Sequence, residues 1–379
     1  MTTSTRSQAK KEDDVTGAPP ASEAEPGSKH KTAVSEPEAK RPKKSDKKEQ
    51  QTTIEETIGG DAVKPNNKEV GSHTRDESAP PSARHEHGSA VEPNGRDDSE
   101  TVPSSILEKG IIYFFFRGRV DVDEPSDIND IARSFILLRP IEKDAKLGSG
   151  PIGDAGNSRL CGIPKKVLPQ SGRDRWIAFV EKAGTSFEQL KKEFLSSEDY
   201  TTKTVGTRHT PAATPVGEGV YAITSTGRES HLVYMLTLPE EIGEVQKEIG
   251  LKGKGAFILS TKNPEFPGPA STRLPKSPEY PEEVIKEFRS LRWMPTQPKH
   301  LDYANTQFLL IGESSGVDKA LEPQEEDKQK GVQAPADELE KLEEEDAKRM
   351  KGLSKDDSSR VFADLQVNAR DYPKLQTTF

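Results

Sequence analysis

Aromatic residues are absent from the first 112 positions of the chain, and Tyr113 is the first of them. Other apolar residues are also sparse at this end: of the residue types AVILMFWYC, residues 1–105 contain 19, whereas residues 106–313 contain 77. Burial of apolar side chains offsets the chain entropy that is lost on folding, so a segment with so few of them cannot build a core. The pattern predicts a disordered segment over residues 1–105 and one folded domain over residues 106–313.

The charges follow the same division. Residues 106–313 carry 28 basic and 28 acidic side chains, and this balance argues against a broad basic face for nucleic acid. Residues 314–379 carry 11 basic and 16 acidic side chains, and we expect a mostly disordered tail with a charged, solvated helix near residues 337–351. Cys161 is the single cysteine, which excludes an internal disulfide framework and a multi-cysteine zinc site. No secretory signal or membrane-spanning run is visible, so the sequence predicts a soluble protein of a reducing compartment.

Runs of β-branched and aromatic residues of strand length recur through the central segment. The clearest is Ile111–Arg117, and we expect about seven strands, the others at 133–139, 175–181, 219–224, 231–238, 255–261 and 307–311. Apolar spacing predicts two or three helices, at 186–195, 281–293 and, more weakly, 240–249. Since helices do not alternate regularly with strands, the pattern indicates an α+β fold with a mixed or mainly antiparallel sheet.

A tight basic cluster lies within the first segment. It contains six cations within nine positions, namely Lys40, Arg41, Lys43, Lys44, Lys47 and Lys48. Basic side chains in an extended, proline-flanked segment are typical of sequences that bind the acidic groove of a nuclear import receptor. The alternative is an ordinary lysine-rich patch, and any contact that it makes with nucleic acid would be weak and salt-sensitive.

The segment 207–219 contains the candidate catalytic residues Arg208, His209 and Glu218. An arginine can hold an anion, a histidine can transfer a proton, and a glutamate can orient that histidine. The alternative is a loop packed against the sheet, in which His209 bonds to backbone groups. The sequence favours this alternative because no second histidine or further arginine accompanies the three residues.

Three other features contain residue types that occur at metal, catalytic or docking sites. The acidic run 121–130 has the composition of a calcium loop but neither its central glycine nor its terminal glutamate, so we predict a surface turn and no metal site. No motif predicts a cofactor, and Cys161 has the surroundings of a structural thiol. Val361, Phe362 and Leu365 form an apolar cluster in a polar tail, either a docking peptide for another protein or a segment that folds back on the domain.

Several runs of the central segment resemble a fungal family catalogued as "BTB domain transcription factor". They are KGIIYFFFRGRV, TRHTPAATPVGEGVYAI, HLVYMLTLP and LSTKNP. The resemblance covers the folded middle of the chain and not its tails. It implies a nuclear regulatory or interaction protein, and it transfers no site residues.

These observations favour a non-enzymatic nuclear interaction or transcription-regulatory protein that acts through its α+β domain. The expected partners are a nuclear import receptor and a further protein, with no membrane, and the expected location is the nucleus, with the cytoplasm as a second location. The alternative is an enzyme that acts on a small anionic or phosphorylated substrate at the 207–219 loop. The first function is favoured because no nucleophile, metal or cofactor constellation rises above chance spacing.

Overall fold

A computed structural model describes residues 90–92, 102–123, 125–203, 206–353 and 364–365. The strands in these ranges are β1 (Val91–Glu92), β2 (Ile106–Gly118), β3 (Ile131–Ile141), β4 (Lys146–Leu147), β5 (Ser158–Ile163), β6 (Arg175–Thr185), β7 (Glu198–Thr202), β8 (Gly206–Thr210), β9 (Ala213–Ser225), β10 (Ser230–Leu238), β11 (Lys254–Lys262), β12 (Trp293–Pro295) and β13 (Gln307–Gly312). The helices are α1 (Phe187–Leu190), α2 (Glu244–Glu248), α3 (Glu282–Phe288), α4 (Glu325–Lys330) and α5 (Pro335–Leu353). A π-helical turn, Lys191–Leu195, continues α1.

Eight of the strands form a closed antiparallel barrel. Strands β2, β3, β5 and β6 pair in chain order as one four-stranded meander, and β9, β10, β11 and β13 pair as a second. The two meanders join where β2 pairs with β9 and where β6 pairs with β13. Every pairing around the ring is antiparallel. Because the backbone of each strand is extended, its side chains point alternately into and out of the barrel.

The barrel interior is filled by side chains. Phe114 and Phe116 of β2 belong to the apolar cluster inside, together with residues from the other barrel strands. A polar group lies among them: Arg159 donates to both carboxylate oxygens of Glu108, at 2.7 and 2.8 Å, and the Tyr221 hydroxyl donates to Glu108 Oε1 at 2.7 Å. The interior is therefore a packed core and not a channel.

Helix α5 covers part of the outer surface of the barrel, against β9 and β10. Its residues Leu339, Leu342 and Met350 are buried in a second apolar cluster, which the outward side chains of the barrel share. Glu338 is buried too, and its Oε1 lies 2.8 Å from Nζ of the equally buried Lys109. The expectation of a solvated helix was therefore wrong for this face. Charged residues of α5 occupy buried positions because the barrel supplies opposite charges. The spacing of the apolar residues alone therefore underestimates how much of the helix surface is buried.

A buried polar cluster joins α5 to the barrel, and we call it the Arg349 cluster. It consists of Tyr113, Arg139, Glu218, Asp346, Arg349 and Asp364. Arg349 Nη2 lies 3.2 Å from Glu218 Oε1 and 2.5 Å from Asp346 Oδ1, and its Nη1 bonds to Asp364. Arg139 pairs with Asp364 at 3.1 Å. These contacts fix α5, β9 and the segment at Asp364 in a single arrangement.

The mainly antiparallel sheet with few helices is confirmed, whereas closure into a barrel was not anticipated. Each of the seven expected strands lies within an observed one. Strands β5 and β8 were not expected. Three of the six residues of β5 are apolar, but the glycines and prolines around them interrupt the pattern, and β8 contains no apolar residue. The helix expected at 281–293 ends at Phe288 because Arg289 adopts a positive φ of 50°.

Removal of the central arginine provides a test of this arrangement. We expect Arg349→Met to lower the free energy of unfolding by about 3–5 kcal/mol, because it leaves Asp346 buried without a cation and leaves Asp364 with Arg139 alone. The control is Lys348→Met, since Lys348 is 77 % exposed and its loss should change stability by less than about 0.5 kcal/mol. Urea unfolding of both variants measures the difference, and equal midpoints would contradict the assigned role.

Candidate functional site

The first two candidate catalytic residues lie on an exposed hairpin. Arg208 and His209 belong to β8, which pairs with β7 outside the barrel. His209 Nδ1 lies 2.5 Å from Asp199 Oδ1, and its Nε2 lies 2.9 Å from Asp123 Oδ1. The hydrogen bond that His209 donates to Asp199, followed by the charge of Asp123, raises the pKa of His209. Arg208 Nη1 lies 3.7 Å from Asp121 Oδ2, so these contacts fasten the hairpin to the acidic turn.

Glu218 lies elsewhere in the fold. It is fully buried on β9 in the Arg349 cluster, whereas β9 begins at Ala213, beyond the end of β8. Five residues of extended chain span roughly 16 Å, and Glu218 faces Arg349 and not the hairpin. The structure therefore pairs Arg208 and His209 with aspartates of the turn and does not bring Glu218 to them.

The pKa of Glu218 is raised in the folded protein. Burial, followed by the charges of Asp364 and Asp346, raises its pKa well above the ordinary value. Burial alone would raise the pKa of Asp364 as well, but Arg349 and Arg139 outweigh burial and hold it low. Burial raises the pKa of Asp346 too, so the shifts of Glu218 and Asp346 favour their neutral forms, whereas Asp364 favours its charged form. This group holds the fold together and has no open side for a substrate.

The remaining sequence candidates are placed as follows. Cys161 is buried on β5 inside the barrel, and burial raises the pKa of its thiol to about 12. Leu365 is buried in the outer apolar cluster, whereas Val361, Phe362 and the whole basic cluster 40–48 lie outside the described residues. Within the described parts of the chain, no three His, Cys, Asp or Glu residues are grouped as metal ligands, and none of the helices could span a membrane.

One side of the barrel carries outward apolar residues that belong to neither apolar cluster, and we call this side the open face. Its members are partly exposed residues of neighbouring strands, namely Ile177 and Phe179 of β6, Leu309 and Ile311 of β13, Ile258 of β11, and Trp293 of β12. The register aligns Arg175, Ile311 and Ile258 in one row and Ile177, Leu309 and Ser260 in the next. No helix in the described part of the chain buries these side chains.

A groove of about 490 Å³ lies in the open face. Ile258, Ile311, Trp293 and Met294 supply its apolar lining, and β12 pairs only with β11 among the described strands. The exposed guanidinium groups of Arg175 and Arg228 line it as well. Such a groove can take apolar side chains and an extended backbone beside two cations.

Sequence reasoning overlooked this face, although a signal was present. The alternation of Trp176, Ala178 and Val180 with Ile177 and Phe179 makes β6 apolar on both sides. Such a strand is apolar on its outer side for one of two reasons: another element covers it, or it offers a binding surface. The sequence alone does not distinguish the two, because whether the outer side of β6 is covered depends on where distant helices pack.

The raised pKa of Glu218 has a measurable consequence. In the unfolded chain glutamate ionises near its ordinary pKa, so above about pH 5 the folded state holds one proton more, and stability falls by about 1.4 kcal/mol per pH unit until the raised pKa is reached. We expect Glu218→Gln to remove this contribution and to flatten the decline of stability with pH. Urea unfolding at several pH values measures it, with the exposed Glu240 changed to Gln as control. An unchanged slope in Glu218→Gln would mean that Glu218 is ionised.

Comparison of the chain with protein-family models, with curated proteins and with solved structures finds no match in any of the three. The resemblance of its central segment to the fungal BTB-labelled family therefore stays a prediction.

Proposed function

We propose that the chain is a non-enzymatic nuclear interaction protein with a regulatory role in transcription, and that its barrel binds a partner at the open face. The observation that carries this proposal is the row of partly exposed apolar side chains across β6, β13 and β11. Apolar patches of this kind, bordered by charged residues, mark interaction sites in folded proteins.

The shape of the groove favours a segment of another protein as the occupant. Trp293 and Met294 provide the large aromatic and flexible apolar surfaces that carry most of the binding energy in protein interfaces. The unpaired edge of β12 lies beside them, so an extended peptide can add its backbone to the sheet while it inserts alternate side chains.

The charges favour an acidic segment. Neither Arg175 nor Arg228 forms an ion pair within the described residues, and both border the groove. Glu229 is the carboxylate of the lining, but Lys319 Nζ lies 2.8 Å from its Oε2 and neutralises it. The groove therefore presents cations around an apolar floor, which matches a peptide of alternating acidic and apolar residues.

The enzyme alternative at the 207–219 loop receives no support from this geometry. Glu218 is buried at a distance from His209, and aspartates occupy both ring nitrogens of His209. The nuclear location continues to rest on the basic cluster and on the resemblance.

Nuclear import can be tested on the tagged full-length chain. We expect the combined change of Lys40, Arg41, Lys43 and Lys44 to Ala to shift the protein from nucleus to cytoplasm, because the import receptor loses its basic contacts. The control changes Lys10 and Lys11, two basic residues of the same segment. Quantitative imaging gives the nuclear fraction. Unchanged accumulation in the first variant would remove the motif, and a wild-type protein that never enters the nucleus would contradict the location.

The open face can be tested with a partner identified by affinity purification and then purified. We expect Met294→Glu to weaken direct binding at least about tenfold, because it places a carboxylate in an apolar groove that receives acidic residues. The matched control is Val332→Glu, since Val332 is also partly exposed but lies between α4 and α5. A Trp176→Phe background leaves Trp293 as the single tryptophan, so its fluorescence reports occupancy of the groove.

Urea unfolding of each variant distinguishes lost binding from lost folding. Equal affinity of the Met294→Glu variant and the wild type, or a partner that leaves Trp293 fluorescence unchanged, would show that the partner binds elsewhere and would overturn the assignment of the open face.

A further inference from the structure

A second depression lies at the other end of the same outer surface, and we call it the cationic recess. It has a volume of about 260 Å³ and lies between the ends of β11 and β13 and the loop 263–278. Its polar lining includes Lys262, Arg273, Lys276, Asn305 and Gln307. Lys262 follows Ile258 and Ser260 along the outward side of β11, so the recess adjoins the open face.

Besides the exposed Lys276, three cations at the recess lack a counter-ion. Lys262 and Arg273 line it, and Arg292 lies at its rim, where its backbone carbonyl accepts a hydrogen bond from Asn263. Burial, then the charges of Arg273 and Arg292, lowers the pKa of Lys262, so the three groups are close enough to repel each other. Within the described ranges, none of the three forms an ion pair with a carboxylate. Glu265, the one carboxylate of the lining, is exposed and does not pair with them either.

The buried cations of the same barrel show a different pattern. Lys109, Arg159 and Arg349 each lie within 3.2 Å of a carboxylate oxygen. Clustered cations without counter-ions repel one another and cost stability, a cost that a bound anion would remove. The unpaired cluster is therefore the electrostatic arrangement expected of an anion site.

Two of the three cations, Lys262 and Arg292, are held in place before any ligand arrives. Gln307 Oε1 accepts from Lys262 Nζ at 2.9 Å, while its Nε2 donates to the Thr272 carbonyl at 2.6 Å. The Arg292 guanidinium lies 5.7 Å from the centre of the Phe266 ring. Prolines 264, 267, 269, 275 and 278 stiffen the loop. Preorganisation of this kind reduces the entropy that binding costs.

Gly268 provides room for the ammonium group. A Cβ atom at this position would lie 3.1 Å from Lys262 Nζ and 3.3 Å from Thr272 Oγ1. A side chain here would therefore fill the space directly beside the cation. The glycine keeps this side of Lys262 open to a small anion.

We propose that the cationic recess binds a phosphate monoester. A doubly charged phosphate matches a group of three cations better than a singly charged carboxylate does, and its three terminal oxygens suit the two-pronged donors of Arg273 and Arg292 together with the single ammonium of Lys262. The volume accommodates a phosphate with a few carrier atoms, since drug-sized ligands occupy pockets of roughly 300–1,000 Å³. The ester is carried either by a phosphorylated side chain or by a small metabolite, and this inference does not require the open face to bind a partner.

The test uses the full-length chain and five probes at constant ionic strength: inorganic phosphate, O-phosphoserine, ribose 5-phosphate, acetate and serine. Calorimetry measures affinity, and the side-chain amide signals of Asn305 and Gln307 in NMR spectra locate the site. We expect saturable phosphate and phosphate-ester binding that shifts these amides. The exposed Arg273 changed to Gln should weaken it about tenfold. Arg173→Gln is the matched control, because Arg173 is exposed and lies outside the recess lining.

Each outcome decides the proposal. Stronger binding of O-phosphoserine supports a phosphorylated protein as carrier, and stronger binding of ribose 5-phosphate supports a metabolite. Absence of saturable phosphate binding, acetate binding as tight as phosphate, or equal affinities of the Arg273→Gln variant and the wild type would overturn it. A Met294→Glu variant that retains phosphate binding would show that the recess functions independently of the groove in the open face.

Discussion

Closure of the antiparallel barrel determines which side of the sheet each side chain occupies. On β11, Phe257 and Leu259 point into the core while Ile258 and Ser260 point outward, because a strand alternates with a period of two. The interior is filled, so another molecule can be recognised only on the outer surface. Helices α1 and α5 cover one part of that surface, and what they leave uncovered is the open face.

The position of α5 depends on charges as much as on apolar contacts. A buried ion pair stabilises a protein only when the attraction between its charges exceeds the cost of removing them from water. Apolar residues of similar volume often give the same stability. The Arg349 cluster has instead a geometric consequence. Arg349 can meet both Glu218 of β9 and Asp364 in only one position of the helix, whereas apolar residues tolerate a shift along the barrel. The raised pKa of Glu218 reflects its burial beside Asp346 and Asp364.

The local part of the fold could be predicted from the sequence, and the long-range part could not. Runs such as Ile111–Arg117 identify strands because their residues favour extended backbone in any context. Closure depends on the pairing of β2 with β9 and of β6 with β13, which lie far apart in the chain and leave no local signal. Strand β5 was overlooked because the glycines and prolines around its apolar residues Leu160, Cys161 and Ile163 interrupt the strand pattern. The candidate residues in segment 207–219 do not form one site, because closeness in sequence does not imply closeness in the fold. Arg208 lies on an exposed hairpin, whereas Glu218 lies in the buried cluster.

The distribution of charge explains why a central segment without net charge can still offer a selective surface. On the covered side, cations such as Lys109 and Arg349 are buried against carboxylates and contribute nothing to the outer field. On the open side, Arg175 and Arg273 lack such partners and are exposed to solvent. Equal numbers of acidic and basic residues in the sequence therefore do not imply a neutral face at every point. Paired charges lie where elements pack against each other, and unpaired cations lie where an acidic partner can reach them. The position of each charge, and not the total charge, therefore determines what the barrel can recognise.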